Sequence, residues 1–198
     1  ELLAPFVPRR PPGMLGRLFH HRPEPGQRWL AAVPLDANIP CPPALAERIQ
    51  RQMNQAPFCF KDPRFSYTLP AWRPYVDNAV FVCVFREPGR TAASMLQHCR
   101  EEPYLRSLAI DFPRTVRVWT LMYQHVLMKH RREGEWLFVH YDQMLDDSAL
   151  RRLESALGVA MDARFAERSL KRSRDHVRVP GETRRVYQEL CTLAGVER

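Results

Sequence analysis

The sequence predicts an α/β domain, a parallel sheet with helices on both faces. Three observations predict it. Continuous apolar, β-branched runs at residues 79–85 and 136–141 read as buried strands. Segments with apolar residues at helical spacing separate and follow them. Breaks such as Pro88-Gly89, Gly158 and Gly195 fall where one pattern gives way to the next. Strands alternating with helices favour parallel pairing and layered packing. At 198 residues the chain is one domain, residues 1–198, long enough for a sizeable core.

Residues 1–43 are rich in Pro, Arg and His, with little periodicity. They read as an irregular surface segment, a lid over the acceptor side, with a weak strand at 29–33. Residues 43–53 are helical, with Leu45, Ile49 and Met53 on one face. Phe58-Cys59-Phe60 reads as a short strand whose exit is Lys61-Asp62-Pro63-Arg64. Residues 69–75 read as a Pro-interrupted connection. Residues 79–85 form the strongest strand, and 91–99 a helix. A longer helix over 112–131 has Val116, Trp119, Tyr123, Val126 and Leu127 on one face. A third strand at 136–141 precedes a helix at 146–157, ended by Gly158. A short helix at 163–170, a basic loop at 171–182 and a closing helix at 183–194 complete the chain.

Net charge is +8, and only Lys61, Lys129 and Lys171 are lysines, so arginine carries the surplus. A basic surplus suits anionic partners, and the arginine fork suits phosphate and sulfate. No apolar run approaches the ~20 residues that span a bilayer. The cysteines Cys41, Cys59, Cys83, Cys99 and Cys191 form no Cys-x-x-Cys pair and no zinc pattern. Cys59 and Cys83 read as small core residues. The scattered cysteines favour a reducing setting, no signal-peptide pattern is seen, and a cytoplasmic location is expected.

Ligands of α/β sheets bind beyond the carboxyl ends of the strands. Two exits are densely polar: Lys61-Asp62-Pro63-Arg64 and Arg86-Glu87-Pro88. Arg86 stands at the second exit, and Ser94 follows eight residues later, one turn into the next helix. Unpaired N–H groups and the helix dipole favour an anion at such a junction. Taken singly, Arg86 and Ser94 are equally a surface arginine and a helix serine bonded to its own backbone. Lys61, Asp62 and Arg64 are equally a solvated turn with an internal ion pair. The basic run Lys171-Arg172-Ser173-Arg174-Asp175-His176 reads either as a phosphate loop or as a solvated charge run.

Phe60-Lys61-Asp62-Pro63-Arg64 resembles the lysine-bearing strand exit of sulfotransferases, in the Lys-Asp-Pro form of tyrosylprotein and many bacterial members. Val84-Phe85-Arg86-Glu87-Pro88 through Ser94 resembles their 3′-phosphate motif. Residues 137–145, Leu-Phe-Val-His-Tyr-Asp-Gln-Met-Leu, are similar to a later strand ending Tyr-Glu-Asp-Leu. Residues 172–177 resemble the loop that closes over the nucleotide. The resemblance covers residues 57–195.

It implies a three-layer, P-loop nucleotide-hydrolase-like fold. It also implies sulfuryl transfer from 3′-phosphoadenosine 5′-phosphosulfate (PAPS) to an acceptor hydroxyl or amine, without a metal. Lys61 and Asp62 would serve catalysis. Arg86, Ser94, Arg64, Arg172, Ser173 and Arg174 would bind PAPS or its product, 3′-phosphoadenosine 5′-phosphate (PAP). Tyrosyl peptide, glycan and small-molecule acceptors all remain open.

The sequence also departs from the family pattern. No Gly-x-Pro-Arg-Ser-Gly-Thr donor loop occurs, and Gly13-Met14-Leu15-Gly16-Arg17 follows no strand. The first strand and its loop are therefore expected upstream of Glu1, or absent. The histidine base of many cytosolic members is missing after Lys61. Charge alone would also suit a nucleic-acid-binding domain. The interleaved aromatic and basic pattern of single-strand binders is lacking, so no nucleic acid is expected. A catalytically inactive sulfotransferase-like protein or a P-loop kinase-like nucleotide binder is the remaining alternative.

Overall fold

The structure, a computed structural model, describes residues 2–9, 22–55, 57–145, 147–162 and 177–196. Helices α1 (Pro43–Met53) and α2 (Phe65–Trp72) precede strand β1 (Val80–Phe85). Helices α3 (Pro88–Glu101) and α4 (Phe112–Met128) lead to strand β2 (Glu135–His140). Helices α5 (Asp147–Leu157) and α6 (Gly181–Ala194) follow. The fold is mixed α/β, and its strands pair parallel from Val80 opposite Glu135 to Phe85 opposite His140. Because α3 and α4 form the crossover, both strands end on the same edge.

One face of the sheet presents Cys83, Phe85 and Phe138 to Trp119, Val126 and Leu127 of α4 and to Val186, Leu190 and Cys191 of α6. On the other face, α5 sets Ala149 and Leu153 against Val139 of β2. That cover stops at β2, so Val82 and Val84 of β1 remain 37% and 48% exposed. The expected layering thus holds for the width of one strand. Helix α4 carries the anticipated stripe, and it also buries Thr115, Val118, Leu121 and His125. A helix apolar on most sides belongs at the centre of a packing.

The sheet has two strands among the described residues, because the expected strand at 58–60 does not form. Between Pro57 and Pro63, a three-residue run has little ladder to offer. Phe58 and Phe60 stay outside, stacked on each other at 5.4 Å, with Phe60 also 5.7 Å from Trp72. Cys59 is exposed, contrary to its reading as a core residue, whereas Cys83 is buried.

The weak strand at 29–33 is also absent. Pro25–Leu30 is a 3-10 helix, opened by a capping box in which the Glu24 N–H donates to Gln27 Oε1 at 3.0 Å. Nor is the N-terminal segment merely a surface layer. Leu3, Val7, Leu30, Ala31 and Val33 are buried in a cluster with Tyr67, Cys99 and Leu121. Its backbone is tied in by Ala32 N–H donating to Phe6 O (2.9 Å) and Ala109 N–H to Pro8 O (3.2 Å).

The expected connection at 69–75 is largely helix, since α2 runs through Pro70. Proline has no N–H for the carbonyl four residues back, Ser66 O. His130 supplies the missing donor, with Nε2 3.0 Å from that oxygen. The short helix expected at 163–170 lies outside the described residues. Among the described residues no helix is long and apolar enough to cross a membrane.

Candidate functional site

Helix α3 begins at Pro88, three residues earlier than the sequence periodicity suggested. Ser94 therefore lies about 9 Å along the helix from Pro88, nearly two turns in rather than one. It is exposed. Glu87 is the N-cap: its carboxylate accepts from Gly89 N–H (3.0 Å) and Arg90 N–H (2.6 Å). Two of the backbone donors expected to face an anion are thus already taken by a side chain. Any phosphate at this exit would be gripped by side chains rather than by those amides. An acid immediately before Pro-Gly at a helix start was the available signal.

Arg86 leaves β1 and places its guanidinium carbon 5.0 Å from the centre of the Tyr141 ring, at the exit of β2. Register explains the meeting: Phe85 opposes His140, so the next residue of each strand emerges at the same level. Tyr141 is a site residue to which the sequence assigned no role. Gly89 has a different task. A Cβ placed on it would lie 2.5 Å from the carbonyl oxygen of Val177. Only the bare backbone lets the segment leading into α6 rest on the start of α3.

At the other predicted exit, Asp62 and Arg64 bind each other. Arg64 N–H donates to Asp62 Oδ1 at 2.8 Å, and its guanidinium Nε donates to both carboxylate oxygens at 2.8 and 2.9 Å. Burial pushes the Asp62 carboxyl up, but the Arg64 hydrogen bonds and charge outweigh it and hold its pKa below the usual value. A carboxylate so held is a poor proton acceptor and a good brace for Arg64. Lys61 is exposed beside it. The structure therefore gathers Asp62 with Arg64 and Arg86 with Tyr141 as two separate pairs. Arg172, Ser173 and Arg174 lie outside the described residues.

A cleft of about 560 Å³ opens at the opposite edge of the sheet, lined by Arg73, Asn78, Phe81, Glu133 and Glu135 among others. Arg73 is occupied there, lying 5.0 Å over the Phe81 ring and donating to Glu133 O at 2.9 Å. The cleft thus sits at the amino ends of the strands, away from Arg86. Among the described residues no group of His, Cys, Asp and Glu side chains could hold a metal ion.

No curated protein and no solved structure matches this chain. The model of the sulfotransferase family does, over residues 15–163, a span that holds both polar exits as well as the Arg86–Tyr141 meeting. By that match, the chain belongs to the sulfotransferase family.

Proposed function

We propose that this chain binds PAPS and transfers its sulfuryl group in line to an acceptor hydroxyl or amine, on a P-loop-like fold. The observation that carries the reading is the β1 exit. There a cation leaves a strand buried on one face and a hydroxyl follows on the next helix, within a chain of this family. Arg86 is assigned the donor's 3′-phosphate through charge-assisted bonds, with Ser94 as hydroxyl donor. Arg64, paired with Asp62, is assigned a further phosphate contact by resemblance alone. Arg172, Ser173 and Arg174 are assigned phosphate contacts by resemblance alone. Val177, just beyond them, rests on Gly89 two residues past the N-cap of α3.

The chemistry asks for positioning and charge stabilisation. The acceptor's lone pair forms a new bond to sulfur as the bond to the bridging phosphate oxygen breaks. The acceptor's proton passes to solvent water, and PAP departs. Negative charge grows on the departing phosphate oxygen, and a fixed ammonium there favours the transition state over the ground state. Lys61 is assigned that role. Asp62 is assigned the orientation of Arg64 rather than proton abstraction, because its pairing favours the ionised form.

Calorimetric titration with PAP and with adenosine 5′-phosphosulfate, which lacks the 3′-phosphate, tests the assignment. Charge-assisted bonds are worth ~1.5–3 kcal/mol, so Arg86→Ala should weaken PAP by roughly 10- to 150-fold. Adenosine 5′-phosphosulfate should be nearly indifferent. Equal losses for both nucleotides would refute the placement of Arg86.

A further inference from the structure

We propose that Tyr141 is a positioning residue for anion capture, holding the Arg86 guanidinium flat so that its N–H edge meets the ligand's 3′-phosphate. The proposal rests on the reading of Arg86 given above and adds a residue to it.

An arginine at a strand exit samples many rotamers, and capturing an anion must stop that motion. A guanidinium lying on an aromatic ring is held by its face, through the ring quadrupole. Its donors lie in the molecular plane and point outward from the rim. Two parallel N–H groups along one edge then match two oxygens of a tetrahedral anion. A lysine could not be held this way, because an ammonium has no face to stack.

The platform is itself braced on both sides. His140, before Tyr141, is 1% exposed. Its Nδ1 accepts from Asp142 N–H at 3.1 Å, so a neutral ring carries its proton on Nε2. That Nε2 donates to the Tyr187 hydroxyl oxygen on α6, also at 3.1 Å. His140 N–H donates to Gln143 Oε1 (2.8 Å), and Gln143 Nε2 donates to Ala194 O at the end of α6 (3.0 Å). The residues flanking Tyr141 are therefore pinned to α6 at two points. The backbone that carries Tyr141 is thus tied to α6, and the Arg86 guanidinium lies over the ring it presents.

The test is calorimetric binding of PAP and of adenosine 5′-phosphate, which is PAP without the 3′-phosphate. The variants are Tyr141→Phe, Tyr141→Leu, Arg86→Ala and the double variant Tyr141→Leu/Arg86→Ala, with thermal melts as the fold control. Tyr141→Met replaces Tyr141→Leu if the latter fails to fold. Tyr141→Leu should weaken PAP by roughly 3- to 30-fold, the range of a stacked cation, and leave adenosine 5′-phosphate unchanged. Tyr141→Phe keeps the ring and should bind PAP within about twofold of wild type. In the Arg86→Ala background, Tyr141→Leu should cost nothing further.

If Arg86→Ala weakens PAP while Tyr141→Leu does not, the platform role is refuted and the reading of Arg86 stands. A Tyr141→Leu loss that persists in the Arg86→Ala background, or falls equally on both nucleotides, also refutes the platform. If wild type prefers PAP no more than adenosine 5′-phosphate, the 3′-phosphate reading itself fails and the platform with it.

Discussion

His130 offers a sharp test of how the first turn of α2, and with it the Lys61–Arg64 segment, is anchored. Its Nε2 lies 3.0 Å from Ser66 O, the carbonyl that Pro70 leaves without a helical partner. A carbonyl oxygen only accepts, so the ring donates there. The ring is 3% exposed. His130→Phe keeps a buried ring and removes the donor, which leaves a buried acceptor unmet at a cost of about 1–3 kcal/mol. Pro70→Ala returns a backbone N–H to Ser66 O, so the same substitution should cost less in that background.

Acidity gives a second measure of the same contact. Burial lowers the His130 pKa from 6.5 to about 4; the Ser66 bond opposes it, and the charges of His125, Arg73 and Lys129 add to it. The unfolded ring takes a proton near pH 6.5 and the folded ring does not. Stability is therefore present in full above that value and is lost as pH falls toward 4. Each pH unit in that window costs at most 1.36 kcal/mol, so His130 should account for about 2 kcal/mol between pH 7 and pH 5. Urea unfolding at both pH values measures it, and His130→Phe should flatten the difference by that amount. Part should remain, since burial also lowers His125. If His130→Phe loses stability equally in the Pro70→Ala background and keeps the full pH difference, the account of α2 anchoring is wrong.

Three further outcomes follow from the site. Alanine is the better helix former, so Gly89→Ala would stabilise α3 by up to about 1 kcal/mol if nothing lay above it. With Val177 O 2.5 Å from the new Cβ, a loss of about 1–3 kcal/mol in denaturant unfolding is expected instead. Lys61→Ala should lower turnover by ~10²–10³, as for removal of one transition-state donor, while calorimetric PAP affinity changes far less. Near-normal turnover would remove Lys61 from the chemistry. Asp62→Asn, at a partly exposed pair, should cost at most about 1 kcal/mol of stability. It should also keep turnover within about tenfold, whereas a general base would lose 10²–10⁴.

The elements with strong periodicity and caps were legible as sequence. The run read as a strand at 79–85 is β1, and Gly158 and Gly195 stand just past the ends of α5 and α6, whereas α3 starts at Pro88, ahead of the expected residue 91. Helix α2 was hidden because its continuity through Pro70 depends on a histidine sixty residues away. Phe58 and Phe60 misled because apolar character alone does not supply a strand with a partner. The burial of Leu3, Val7, Leu30 and Val33 carried no periodic signal, since an irregular segment packs without one.

The site divides in the same way. The sequence by itself determined the family, the alternation of strands and helices, and Lys61, Asp62, Arg64, Arg86 and Ser94 as the residues to watch. Those depend on local order, which residue types follow a strand and at what spacing. Only the tertiary structure decided that Asp62 is spent on Arg64, that Glu87 fills the start of α3, and that Tyr141 lies under Arg86. Arg86 and Tyr141 belong to strands joined by a two-helix crossover. Their contact exists because parallel pairing sets Phe85 opposite His140, and register is a property of two strands together.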